Sequence, residues 1–294
     1  MLGFGFSLGL QVIIARRNGE QWYAETGKTF FQGLFFLLIL AVLLCMLSKI
    51  FSPVLLKHLI TSDDVYNAVI RYLDWRIWGL LFSFPFLALR SFLVGITQTK
   101  ALNMAAFTAV LVNIPLNWLL IFGFDMGISG AAIASSSAEM CSLAVLAAYM
   151  FRHIDKKAYG LYWRIDITVL KEVFSISVWS MLQFFTSVAI WFLFFVAIER
   201  LGETELAVSN IVRSVSALFS VIVNALAGVT GSLVSNLIGA GEKKQVFPLC
   251  HKIIRLGYAT GIPLIAFALF FHQHIIGAYT ENPAIVQLAW PPFL

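Results

Sequence analysis

The sequence predicts an all-α polytopic membrane protein, and three observations predict it. Of 294 residues, 60% are hydrophobic and only 12% are charged. Soluble domains carry about 45–50% apolar and about 25% charged residues, so this chain has too little charge to cover its apolar surface in water. Seven stretches reach the roughly 20 apolar residues that a bilayer-crossing helix needs: 29–49, 76–97, 101–123, 128–151, 172–198, about 210–238, and 256–279. None alternates with period two, which argues against an outer-membrane barrel. Soluble enzymes, nucleic-acid-binding domains and disordered chains are thereby set aside. The pI near 9.2 reflects basic loop anchors rather than a nucleic-acid partner.

Taken in order, residues 1–15 (MLGFGFSLGLQVIIA) are apolar up to Arg16 and Arg17. As a helix they rise only about 22 Å, short of a hydrocarbon core of about 30 Å. Their charges follow the apolar run, which is the wrong order for a signal peptide. Span 29–49 opens after Lys28 and closes at Lys49. Span 76–97 contains Pro85 and Arg90. Span 101–123 holds Asn113, Pro115 and Asn117. Span 128–151 begins with small residues and carries Glu139 near its middle. Spans 172–198, 210–238 and 256–279 follow, and a last apolar run occupies 283–294. Pro85 and Pro115 inside spans predict either freed carbonyls, useful as hinges or ion ligands, or a simple kink.

Basic residues gather in alternate loops. Arg16, Arg17 and Lys28 lie in the first; Lys100 in the next; Arg152, Lys156, Lys157, Arg164 and Lys171 in a third; Lys243, Lys244, Lys252 and Arg255 in a fourth, which makes 13 of the 20 Lys and Arg. By the positive-inside rule these loops are cytoplasmic, and the span count agrees with itself. The loop carrying Lys57 and Arg71 fits least well. The chain also repeats. Gly9-Leu-Gln-Val12 with Gly19-Glu20 matches Gly231-Ser-Leu-Val234 with Gly241-Glu242 at an offset of 222 residues. Leu59-Ile-Thr61 matches Ala278-Tyr-Thr280 at 219. A period this long predicts two parallel halves related by an axis along the membrane normal, of which this chain is expected to be a fragment.

Several runs together point to a family. Gly127-Ile-Ser-Gly130-Ala131-Ala132-Ile-Ala134-Ser135 resembles the start of the sixth helix of the multidrug and toxin extrusion (MATE) family. Asn113-Ile-Pro115-Leu116-Asn117 is similar to its fifth helix, and Arg90-Ser-Phe-Leu-Val-Gly95-Ile-Thr-Gln98-Thr99-Lys100 to its fourth. Gln11 to Glu20 resembles the end of the second helix, and Leu206 to Arg213 the start of the eighth. The resemblance implies two pseudo-symmetric six-helix lobes. Here these would be an N-terminal lobe at 1–152 lacking its first helix, a cytoplasmic inter-lobe loop at 153–171, and a C-terminal lobe at 172–294 lacking its last helices. It also implies a plasma-membrane antiporter, working as a monomer, that exports small organic cations against Na⁺ or H⁺ without further cofactor. A lipid-linked oligosaccharide flippase of the same superfamily and a non-transporting truncated chain remain alternatives.

Ionisable groups inside spans are costly and mark function by default. Glu139 is the clearest candidate for a ligand to H⁺ or Na⁺; its alternative is an ion pair with a neighbouring helix. Asn113 and Asn117 share a helix face and, with Ser135, match the family's polar site in the first lobe, although Asn117 stands where proton-coupled members have Asp. Gln183 and Trp179, with Asn210, are candidates for lining the substrate cavity. Arg90 is expected to snorkel or cap, and Arg213 to pair with Glu203 or Glu205. Cys45, Cys141 and Cys250 show no metal or pairing pattern, and His272 and His274 do not share a helix face. No phosphate-binding loop or nucleophile motif is present.

Overall fold

A computed structural model of the chain describes residues 1–60, 62–163, 165–277 and 279. The described residues form α1 (Leu2–Gly19), α2 (Tyr23–Leu59), α3 (Asp63–Arg76), α4 (Leu80–Gly95), α5 (Lys100–Trp118), α6 (Gly127–His153), α7 (Ile167–Glu199), α8 (Glu203–Gly239), α9 (Val246–Phe270) and α10 (His272–Gly277). No strand occurs among them. Among the described residues, seven helical segments are long and apolar enough to cross a membrane, and they contain or overlap the seven expected spans.

Boundaries differ where apolar spans continue as amphipathic helix. Beyond Lys49, α2 runs on to Leu59, and α3 precedes the expected span at 76. The extensions lean on each other through Lys49 and Asp74 at 3.8 Å and through the Tyr66 hydroxyl, which donates to the Pro53 carbonyl. A 3₁₀ turn, Ile77–Gly79, joins α3 to α4. Pro115 interrupts the ladder of α5, which finishes as a π-helical turn at Leu119–Gly123, a form that single-turn bulges favour at functional positions.

The short α1 is the centre of the molecule. Phe6, Leu10 and Ile14 are fully buried, and the helix packs on α2, α4, α7 and α8. Apolarity on all sides of a helix suits burial on all sides. Lipid tails are as apolar as Leu, so packing and close backbone approach must hold such helices together. Gly5 and Gly9 supply that approach: a Cβ at Gly5 would lie 2.7 Å from the Met181 Cα, and one at Gly9 would lie 2.6 Å from the Ser177 Cα. The Ser177 hydroxyl donates to the Phe6 carbonyl, and Gln11 donates to the Gly228 carbonyl of α8.

The ends of α1, α4 and α8 meet, and the start of α7 joins them through Arg17 and Lys28. There the segment between α6 and α7 is folded onto α2 rather than hanging free. Trp163 stacks edge-on with Phe31 and Phe35, Lys28 meets Asp166 at 2.7 Å, and Arg17 meets Glu172 at 2.6 Å. Lys28, with help from the backbone amides of Val169 and Thr168, holds the Asp166 carboxyl below its ordinary pKa. Ile154, Val169 and Val173 join the core built on α1, α2 and α4.

The ends of α1 and α8 repeat bond for bond, at an offset of 220 residues rather than 222. The α1 end is closed by Glu20 N–H to Arg16 O, Gln21 N–H to Asn18 O and Trp22 N–H to Arg17 O. The α8 end is closed by Ala240 N–H to Asn236 O, Gly241 N–H to Ile238 O and Glu242 N–H to Leu237 O. Gly241 (φ 77°) therefore corresponds to Gln21 (φ 60°), and Gly239 to Gly19. The second expected match involves Thr61, Ala278 and Thr280, which lie outside the described residues, as does the apolar run 283–294.

Candidate functional site

Two arrangements of polar groups stand inside the helical bundle. The first joins the C-terminal ends of α1, α4 and α8. Asn18 Nδ2 donates to Asn236 Oδ1 at 2.8 Å, Asn236 Nδ2 donates to the Gly95 carbonyl at 2.9 Å, and the Ser232 hydroxyl donates to the Val94 carbonyl at 2.9 Å. The contact between α1 and α8 is reciprocal under the 220-residue repeat. A Cβ on Gly19 would collide with the Asn236 carbonyl oxygen and lie 3.0 Å from Ala240 N; one on Gly239 would collide with the Arg16 carbonyl oxygen and lie 3.0 Å from Glu20 N. Two glycines thus let the two helices touch backbone to backbone about a pseudo-two-fold axis.

The second arrangement is a cavity of about 470 Å³ between α4, α5 and α6, with Ser83, Asn113, Glu139 and Ser142 on its walls. Glu139 is held by Arg76, whose Nη1 and Nη2 donate to Oε2 at 2.9 Å and to Oε1 at 2.5 Å. Of the two readings of Glu139, the ion pair with another helix is the one present, and the partner comes from the last residue of α3. The pair is half-buried, with 29% of the Arg76 side chain and 28% of the Glu139 side chain exposed.

The other sequence candidates fall as follows. Asn117 Nδ2 donates to Asn113 Oδ1 at 2.9 Å, so the two asparagines act as one unit with Asn113 at the cavity wall. Ser135 lies one turn before Glu139 on α6 and does not line the cavity. On α7, Trp179 is 72% exposed and Gln183 is also exposed. Asn210 is half-buried on α8. Its neighbours Ser209 and Arg213 line a different pocket of about 370 Å³ between α7 and α8, with Trp191, Phe194 and Glu205. Arg213 sits over the Phe195 ring at 5.0 Å; the Glu203 side chain lies outside the described residues. Arg90 packs over the Phe4 ring of α1 at 5.4 Å, and its Nη1 is buried without a hydrogen-bond partner.

Arg76, Gly79, Asn18 and Asn236 were not singled out by sequence. Arg76 could have been found: it is a cation at the first position of an apolar span, and Glu139 is a carboxylate inside another.

Comparison with known proteins settles the relationship. The MatE family model matches residues 1–119 and 180–290, most of the chain and both halves of the repeat. The chain belongs to the MatE family. Among MatE relatives, the probable multidrug resistance protein NorM of Shewanella oneidensis is 25% identical over 298 residues, covering 97% of this chain and 63% of that protein. The multidrug resistance protein NorM of Vibrio cholerae is 23% identical, covering 98% of this chain and 65% of its own length. The chain thus spans a little under two thirds of these relatives. A solved MATE transporter in an outward-facing conformation superposes with TM-score 0.87 at 20% identity, covering 98% of this chain and 65% of that one. The eukaryotic MATE transporter AtDTX14 superposes with TM-score 0.84 at 20% identity, covering 97% and 64%. At these identities the structures establish the MatE fold alone.

Proposed function

We propose that the protein acts as a secondary antiporter of the cytoplasmic membrane, exporting small organic cations in exchange for Na⁺ or H⁺. The observation that carries the reading is the reciprocal α1–α8 contact. Alternating access needs two repeat-related bodies that part and close about an axis along the membrane normal. Gly19 against Asn236, mirrored by Gly239 against Arg16, is a contact of that symmetry at one membrane face. The names of the NorM relatives, multidrug resistance proteins, support the substrate class.

In this reading the α4/α5/α6 cavity takes the coupling cation, with Glu139 as its charged ligand and Asn113, oriented by Asn117, as a neutral oxygen donor. Ser135 adds a hydroxyl on the same face of α6 as Glu139. Gln183, Trp179 and Asn210 belong to the path of the organic cation. Ligand binding to one conformer shifts the population of the two, and that shift couples the fluxes.

Ethidium movement in inside-out vesicles tests the proposal. An imposed Na⁺ or pH gradient should drive accumulation, and Glu139→Gln should abolish the dependence on that gradient. Accumulation that ignores both gradients would sink the antiport reading.

A further inference from the structure

Glu139 is at once the partner of Arg76 and part of a cavity wall, and these two roles conflict when a cation arrives. We propose that Arg76 is the resident counter-cation of a monovalent-cation site centred on Glu139. With the cavity empty, the guanidinium occupies both carboxylate oxygens; a cation entering beside Asn113 takes the carboxylate and releases Arg76. The inference deepens the antiport reading and rests on it for its place in a transport cycle, but cation binding by itself tests it.

Three features of the site support the exchange. A carboxylate within a membrane span needs a positive partner at all times, because the uncompensated charge is costly. Here that partner is in place and bidentate, yet each side chain keeps more than a quarter of its surface exposed, so the pair is reachable.

The pair also rests in a slot made by bare backbone. A Cβ on Gly79 would collide with Arg76 Nη1 and lie 2.8 Å from both Glu139 Oε2 and Ser136 Oγ. The 3₁₀ turn Ile77–Gly79 thus positions the guanidinium, and the Ser83 hydroxyl ties the turn to the cavity wall by donating to the Gly79 carbonyl at 2.9 Å.

The cavity chemistry suits a single positive charge. Beyond Glu139 its polar lining is Asn113 and the hydroxyls of Ser83 and Ser142, neutral groups with oxygen acceptors, and no other ionisable side chain lines it. Its walls of Phe86, Leu87 and Val110 are apolar, and about 300–1,000 Å³ is the size of a small-molecule site. The shared ligand chemistry is monovalent positive charge, from Na⁺ or from a small organic cation. A released Arg76 has a long apolar stem on which its head can move toward water.

The test is titration calorimetry of the full chain in lipid nanodiscs, with Na⁺ and tetraphenylphosphonium as separate probes. Arg76→Gln should tighten binding of at least one probe about tenfold, since its internal competitor is gone. Gly79→Ala keeps both charges but crowds the pair, and should tighten the same probe by a smaller factor. Glu139→Gln and the Arg76→Gln/Glu139→Gln pair should remove the binding. Tightening for Na⁺ alone assigns a metal-ion site, and for tetraphenylphosphonium alone an organic-cation site. Affinities unchanged in both Arg76→Gln and Gly79→Ala would overturn the proposal; should Arg76→Gln fail to fold, Gly79→Ala carries the decision. Loss of gradient-driven ethidium transport with these binding results intact would remove the antiport reading and leave the cation site standing.

Discussion

Replacing Gly239 by alanine places a methyl group where α8 meets the backbone of α1. The added Cβ overlaps the Arg16 carbonyl oxygen and lies 3.0 Å from the Arg16 carbonyl carbon and from Glu20 N. Both neighbours are helix backbone and cannot rotate aside, so the helices must part by roughly an ångström to reach ordinary contact at about 3.5 Å. Overpacking of this kind costs about 1–3 kcal/mol, and a rigid neighbour puts it in the upper half of that range. Alanine recovers about 1 kcal/mol over glycine within a helix. The net loss is therefore about 1–2 kcal/mol, and Gly19→Ala should lose about the same, because the repeat makes its collision with Asn236 the mirror image. The two changes are relieved by one separation of the helices. The double variant then meets the overpacking once but gains alanine's helix preference twice, so it should lose only about 0–1 kcal/mol, since sites sharing one backbone shift are not additive. Urea or thermal unfolding in detergent, followed for the four proteins of the cycle, measures this. A double variant that loses the full sum, or a single variant as stable as the parent, would refute the shared contact.

Three further outcomes are expected. Asn236→Leu removes the bonds to Asn18 and Gly95 and leaves partners unmet in a packed junction, at a cost of about 2–3 kcal/mol; a cysteine at the buried Ser232 should then label faster with a permeant maleimide. Gln21→Gly relieves a left-handed residue at φ 60°, worth about 1 kcal/mol, so its midpoint in urea should rise, and Gly241→Gln should lower it. Asp166 has a carboxyl depressed mainly by Lys28. A depressed carboxylate contributes its stabilisation above its ordinary pKa and loses it as pH falls through the lower folded value. Docking of residues 155–163 onto α2 should therefore persist at pH 6 and weaken only in strong acid, and Asp166→Asn should abolish that acid step in hydrogen exchange.

How much of this was legible in the sequence depended on whether the cause was local. The seven spans were, because apolar length along the chain is what makes a span. So was the alternation of the basic loops, since each flanks a span directly. Arg76 and Glu139 were each visible, but their meeting was not: 63 positions separate them, and only the 3₁₀ turn with Gly79 brings the guanidinium round. Trp179 and Gln183 were visible by type, but which side of α7 is left uncovered depends on where α1 lies. Gly5 and Gly9 decide that, by setting α1 against Ser177 and Met181.

The repeat shows why residue identity misled by two positions. Matching Gly19 to Gly241 pairs two glycines with different tasks. Gly241 is needed for its left-handed backbone, at φ 77°, whereas Gly19 is needed because nothing larger fits beside Asn236. Its true counterpart, Gly239, meets Arg16 in the same way, and the left-handed position in the first half is filled by Gln21. The first half therefore carries the strained turn and the second half does not, while both keep the close contact. Strain at one turn is a local cost of about 1 kcal/mol that either half can carry alone. The contact needs both halves at once, since a side chain on either glycine drives the two helices apart. Of the two glycine positions at each helix end, the one at the contact is thus the one the pseudo-symmetry requires twice.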